Sequence, residues 1–212
     1  MSGETVNLIH DDYFTQRNNP VVHDSGTGLT VKPYEACMPT ARVMFYKGNR
    51  IAYTNPSQLP DDAYLTSVLI APEALALATT KYPDLVAAGY PPNQIHGMYH
   101  SYLDPVVCGR RTSDFRTDLS FDDYVDLIRS GRVVMTSGAF QGRKGPINGH
   151  AFVLVGLGAD GGLLMADPYG DFHTNYDSEQ GYLVPMSRDD FVAHVKPTGA
   201  LRKYGHVPME SA

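Results

Sequence analysis

Gly149-His-Ala-Phe-Val-Leu-Val-Gly-Leu-Gly-Ala-Asp-Gly-Gly-Leu-Leu-Met-Ala-Asp167 contains two apolar runs separated by Gly158-Ala-Asp-Gly-Gly162. Glycines adopt the positive φ angles of a tight turn at little cost, so this spacing predicts a hairpin of two antiparallel strands. Their apolar content is nearly continuous instead of alternating, which predicts strands covered on both faces. Val133-Val-Met-Thr136 reads as a further strand, and another short one begins at Val184.

The covering layers are read from the flanks. Ser120-Phe-Asp-Asp123 joins an N-cap to acidic first-turn residues, which suit the positive end of a helix. Phe121, Tyr124, Val125, Leu127 and Ile128 carry that helix to Gly131. Ser187-Arg-Asp-Asp190 repeats the signature ahead of a short helix through His194. Near the N-terminus, Glu35-Ala-Cys-Met-Pro-Thr-Ala-Arg-Val-Met-Phe-Tyr-Lys-Gly48 predicts a helix with Thr40, Val43, Met44 and Lys47 on one face. Pro39 fits only in a first turn, which sets the start at Cys37 or Met38. Gly48 is expected just past the end, as the C′ residue. Residues 1–36 read as loop with a short strand from Leu29 to Lys32. Ala63 to Lys81 has helical composition with a fresh start at Pro72, and Pro83, Pro91, Pro92 and Pro105 divide the chain beyond Lys81 into short pieces. The expected fold is α+β, an N-terminal helical part packed on a C-terminal antiparallel sheet.

A chain of 212 residues suits one domain, 1–212, in which 49–119 reads as an insertion of helical and irregular structure. Seventeen basic against twenty-three acidic residues give a net charge of −6, which argues against a nucleic-acid or anionic-membrane binder. No apolar run approaches the length of a membrane span. The N-terminus lacks a basic start and an apolar core, so the expectation is a cytoplasmic protein with Cys37 and Cys108 both free. Later release through a separate pore stays open, as does the oligomeric state.

Two cysteines are few enough to ask what each does. Cys37 stands at a helix N-terminus, where unpaired N–H groups and aligned peptide dipoles favour a thiolate; Cys108 does not. A thiol nucleophile also needs an imidazole, oriented by a third group. His150 opens the buried strand after the glycine-rich Gly145-Pro-Ile-Asn-Gly149, and Asp167 closes the next strand. Side chains alternate along strands, so an even-numbered turn sets Asp167 on the face of His150, Phe152 and Leu154. An odd turn without a bulge separates them. An aspartate before Pro168 also has a plain reading as a turn residue. His96 and His100 have helical ligand spacing, but Gly97 and the nearby prolines argue against a metal site, and no cofactor is expected. Gln16 is a candidate oxyanion donor beside the Cys37 backbone N–H. Gln141-Gly-Arg-Lys-Gly145 reads either as a solvated loop or as a lid whose Arg143 and Lys144 meet a substrate carboxylate.

Gln16, then Cys37-x-Pro-Thr40, then Gly149-His150-Ala-Phe-Val-Leu-Val-Gly, then Ala166-Asp167-Pro-Tyr-Gly, resembles the papain-like cysteine peptidases of the bacteriocin-leader-processing branch. It is especially similar to the stand-alone peptidase-like domains of bacteria and phages. The shared motifs span roughly residues 13–48 and 133–172, with twenty residues between glutamine and cysteine where the papain arrangement is more compact. The resemblance implies Cys37 as nucleophile, His150 as base and then acid, Asp167 as orienting carboxylate and Gln16 as oxyanion donor. It implies a thiol hydrolase working through an acyl-enzyme. The expected substrate is a peptide: peptidoglycan stem peptides, as cut by phage or bacterial lysins, rank slightly ahead of proteins or leader peptides. A transglutaminase-like acyltransferase and an inactive peptide-binding module remain the alternatives.

Overall fold

The computed structural model describes residues 5–195 and 204–209. Its strands are β1 (Thr5–Val6), β2 (Val22–His23), β3 (Thr30–Val31), β4 (Ser113–Arg116), β5 (Val134–Gly142), β6 (Gly145–Leu157), β7 (Leu163–Ala166), β8 (Val184–Met186) and β9 (Gly205–Pro208). Its helices are α1 (Cys37–Gly48), α2 (Asp61–Ile70), α3 (Pro72–Lys81), α4 (Pro83–Ala87), α5 (His96–Met98), α6 (Asp104–Cys108), α7 (Phe121–Arg129) and α8 (Arg188–His194). A π-helical turn, Tyr99–Leu103, joins α5 to α6. Seven strands form one antiparallel sheet in the order β4-β9-β5-β6-β7-β8, with β1 added at the end of β6. Helices from the N-terminal half pack on this sheet, so the fold is α+β. No single helix among the described residues is long and apolar enough to cross a membrane.

Two cores sandwich the sheet. Ala151, Val153 and Val155 of β6 point toward Met38, Ala41, Met44 and Phe45 of α1. Phe152 and Leu154, on the other face, meet Tyr124 and Ile128 of α7 and Phe191 of α8. This is why β6 reads as a continuous apolar run. The N-caps expected at Ser120 and Ser187 both form, and each closes into a capping box with Asp123 or Asp190 as the returning carboxylate.

Helix α1 departs from its expected amphipathic reading. Residues Met38 through Tyr46 are all buried, because α2, α3 and the segment from Ile95 to Val107 cover the side facing away from the sheet. Residues 49–119 therefore share a core with the strands, and β4 extends the sheet itself. Gly48 also differs from expectation. It belongs to the last turn of α1, and a Cβ there would lie 2.5 Å from Val133 Cγ2. Close packing, not a left-handed cap, requires glycine; the positive φ falls at Arg50.

Residues 141–142 and 145–149 are strand where the sequence reads as loop. Strands β5 and β6 run on to Gly142 and Gly145, which pair across the two-residue turn Arg143-Lys144. Only the half of β6 from His150 onward is fully buried, so the earlier half carries no apolar pattern.

Candidate active site

Two irregularities in β6 aim His150. The first lies just before it: Gly138 pairs with His150 but Phe140 pairs with Ile147, so Asn148 and Gly149 together oppose Ala139. Gly149 takes φ 70°, and a bulge of this kind redirects the next side chain. The second lies at Val155. The turn after β6 has an odd number of residues, with Leu157 paired to Leu163 and Gly156 to Leu164. Beyond Val155 the register shifts, and Leu154 pairs with Met165 and Val153 with Ala166. One further step sets Asp167 level with Phe152, on the His150 face. The bulge restores the parity that the odd turn breaks.

His150 and Asp167 meet directly, Nε2 to Oδ1 at 2.6 Å, with both side chains buried. A carboxylate only accepts, so Nε2 carries a hydrogen, and Nδ1 is the nitrogen left to exchange a proton with another group. The Tyr169 backbone N–H donates to Asp167 Oδ1 at 2.7 Å and the Tyr176 hydroxyl to Oδ2 at 3.1 Å. Tyr13 donates to the Asp167 backbone carbonyl at 2.8 Å. Gly181 lies so close that a Cβ would sit 2.0 Å from that carbonyl oxygen. Phe140, Tyr169 and Tyr176 surround the imidazole edge-on, with ring centroids 5.7–6.2 Å away. Burial alone would lower the His150 pKa. The Asp167 charge and hydrogen bond outweigh it, with help from neighbouring Cys37, and raise the pKa to about 10.

Cys37 is the first residue of α1, half-buried and free. No side chain caps this helix and no acidic residue sits in its first turn, so its leading N–H groups stay available to a ligand. Cys37 and His150 line one cleft of about 210 Å³. Its other walls come from Tyr34, Glu35 and Ile147, and from Tyr90, Gln94 and His96 of the 49–119 segment.

Three sequence candidates, Cys37, His150 and Asp167, thus converge. Gln16 lies nearby but does not line the cleft. Its buried side chain donates from Nε2 to the Pro33 carbonyl at 3.0 Å, and its backbone N–H donates to the Pro168 carbonyl at 2.9 Å. It braces the approach to Cys37 against the exit from Asp167. Arg143 and Lys144 occupy the tight β5–β6 turn and line a different depression, shared with Tyr169, Tyr176 and Asp177. Ile147 borders both hollows. These two residues form the tip of the β5–β6 hairpin, where Arg143 lies 3.6 Å from Asp177.

The sequence carries no clear sign of Tyr176 or of the cleft wall supplied by the middle segment. Asn175 and Tyr176 both have positive φ, 53° and 65°, and that strained pair delivers the tyrosine hydroxyl to Asp167. Asparagine is a weak signal for such a backbone, and tyrosine is none.

Behind the cleft, His96, His100 and His206 gather around Phe115 and Tyr204. His96 Nδ1, His100 Nδ1 and His206 Nε2 are buried without a hydrogen-bond partner. Among the described residues no group of three or more His, Cys, Asp or Glu is placed to hold a metal ion. Burial lowers the pKa of His96 to about 4, and lowers His206 and His100 with help from Arg42 and Arg111. A histidine lowered in the folded state stabilises fully above its unfolded value of ~6.5, and that contribution is lost as pH falls below it. The urea midpoint is therefore expected to drop steadily between pH 6.5 and 4.5, ahead of carboxylate titration. A flat midpoint across that window would exclude three neutral buried imidazoles.

Compared with known proteins, the chain matches no family model, and neither curated sequences nor solved structures give a significant match.

Proposed function

We propose that the chain is a cysteine peptidase with a papain-like arrangement, cleaving peptide bonds through an acyl-enzyme. The observation that carries this is the His150 imidazole, fixed through Nε2 by Asp167 with its other nitrogen left to serve the Cys37 thiol. An imidazole that holds a proton this firmly favours the thiolate–imidazolium form of the pair.

In this reading the Cys37 thiol gives its proton to His150 Nδ1, and the sulfur attacks the scissile carbonyl carbon. The oxyanion is met by the Cys37 backbone N–H at the start of α1. His150 returns the proton to the leaving nitrogen, the C–N bond breaks, and a thioester remains. Water, deprotonated by His150, then releases the acid and restores the thiol. Asp167 orients the ring throughout and balances the charge that forms on it. Tyr176 and Tyr169 hold Asp167 in turn.

Peptidoglycan stem peptides are the first substrate to try, ahead of proteins. The test is incubation of the protein with purified peptidoglycan and with a generic protein substrate, read by mass spectrometry. New amine and carboxylate termini are expected in at least one. The run is repeated with a modest concentration of added primary amine. An amide adduct replacing the carboxylate product would make the chain an acyltransferase, and no product in any arm would remove the catalytic reading.

A further inference from the structure

Glu35 is the one acidic side chain lining the Cys37 cleft among the described residues, and no lysine or arginine lines it. Its Oε2 accepts from the Lys32 backbone N–H at 2.8 Å, which fixes the carboxylate two residues before the nucleophile. One carboxylate oxygen is thus anchored, while the other makes no hydrogen bond within the described chain. Beside it, Tyr34 is 58 % exposed, and the Lys32 ammonium already lies over its ring, 5.8 Å from the centroid, so Glu35 is left as the group to meet a further cation. Met38 and Ile147 add apolar walls, and Tyr90 an aromatic ring. A lone carboxylate among apolar and aromatic walls suits an ammonium carried on an aliphatic stem. The apolar walls take the methylenes, and the charge meets the carboxylate. A carboxylate-bearing side chain is repelled here, and a purely apolar one leaves Glu35 unpaired.

We infer that this cleft selects peptides presenting a free primary amine on an unbranched side chain, of the lysine or diamino-acid type, and that Glu35 determines this preference. The inference rests on the peptidase reading and adds its substrate class. It concerns recognition only, and the bond-breaking chemistry is unchanged.

The probes are a proteome-derived peptide library and peptidoglycan, each used native and after acetylation of its amino groups. Cleavage rates are measured with the natural chain and with Glu35→Gln, which keeps an oxygen to accept from the Lys32 N–H. With the natural chain, acetylation is expected to lower the rate at least about tenfold, the scale of one charge-assisted hydrogen bond. Amine-bearing residues should be enriched at one position beside the cut. Glu35→Gln should collapse the native-to-acetylated ratio toward one. A ratio near one with the natural chain, or a ratio kept by Glu35→Gln, overturns the inference and leaves the peptidase reading standing. No cleavage by the natural chain of either material overturns both.

Discussion

Cys37→Ala is expected to remain folded and to lose turnover, with kcat lower by on the order of 10⁴-fold or more, because nothing replaces the attacking sulfur. The fold should tolerate the change. Cys37 is half-buried at the first position of α1, where alanine suits a helix and leaves no polar group stranded. Thermal or urea unfolding should therefore stay within about 1 kcal/mol of the natural chain. The same residue has a second readout. Iodoacetamide near pH 6 should label Cys37 well ahead of Cys108, whose thiol burial pushes up to about 11. Peptide mapping separates the two sites. Turnover surviving in Cys37→Ala would rule out the nucleophile, and equal slow labelling of both thiols would favour a cleft that binds without reacting.

Asp104→Ala should produce the largest loss of stability. Arg42 of α1 is fully buried and pairs with Asp104 of α6, Nη2 to Oδ2 at 2.5 Å and Nε to Oδ1 at 3.2 Å. The Tyr46 hydroxyl and both the backbone N–H and hydroxyl of Thr112 also donate to this carboxylate. Removing it leaves a guanidinium and several donors unpaired in the core, a cost of about 3–5 kcal/mol. Stability of a whole domain is only about 5–15 kcal/mol, so partial unfolding at 37 °C is expected. The double change Arg42→Met with Asp104→Leu removes both charges and should recover most of the loss. Urea titration checks both variants. A single-variant loss under about 1 kcal/mol would mean that water reaches the pair. The network matters to the site because it clamps the helix that presents Cys37 onto α6 and the start of β4.

Arg42 shows where sequence reading stops. An arginine in the middle of α1 reads as a solvated residue, since its partner lies 62 positions away and carries no local mark. Signals with a local physical cause are legible. These include Pro39 limiting the start of α1, the Ser120 and Ser187 caps, and the glycine-rich turn after β6. The site divides the same way. Cys37 opens α1 and Asp167 directly follows β7, boundaries that the sequence marks, and His150 stands where the apolar, buried half of β6 begins. Tyr176 arrives through an irregular loop, and Gln94 and His96 through a segment whose placement depends on packing against α1. Gly48 misleads because a close approach to Val133 and a left-handed cap require the same residue.

The odd turn and the Val155 bulge have a consequence for how such a chain can drift in length. Asp167 faces His150 because of how β6 and β7 pair, so a residue gained or lost in the exposed turn 158–162 is absorbed there and leaves the two side chains together. A residue gained or lost inside either strand turns the side chains beyond it to the opposite face unless a bulge like that at Val155 takes it up. Length is thus free to vary at the hairpin tip and constrained within the strands.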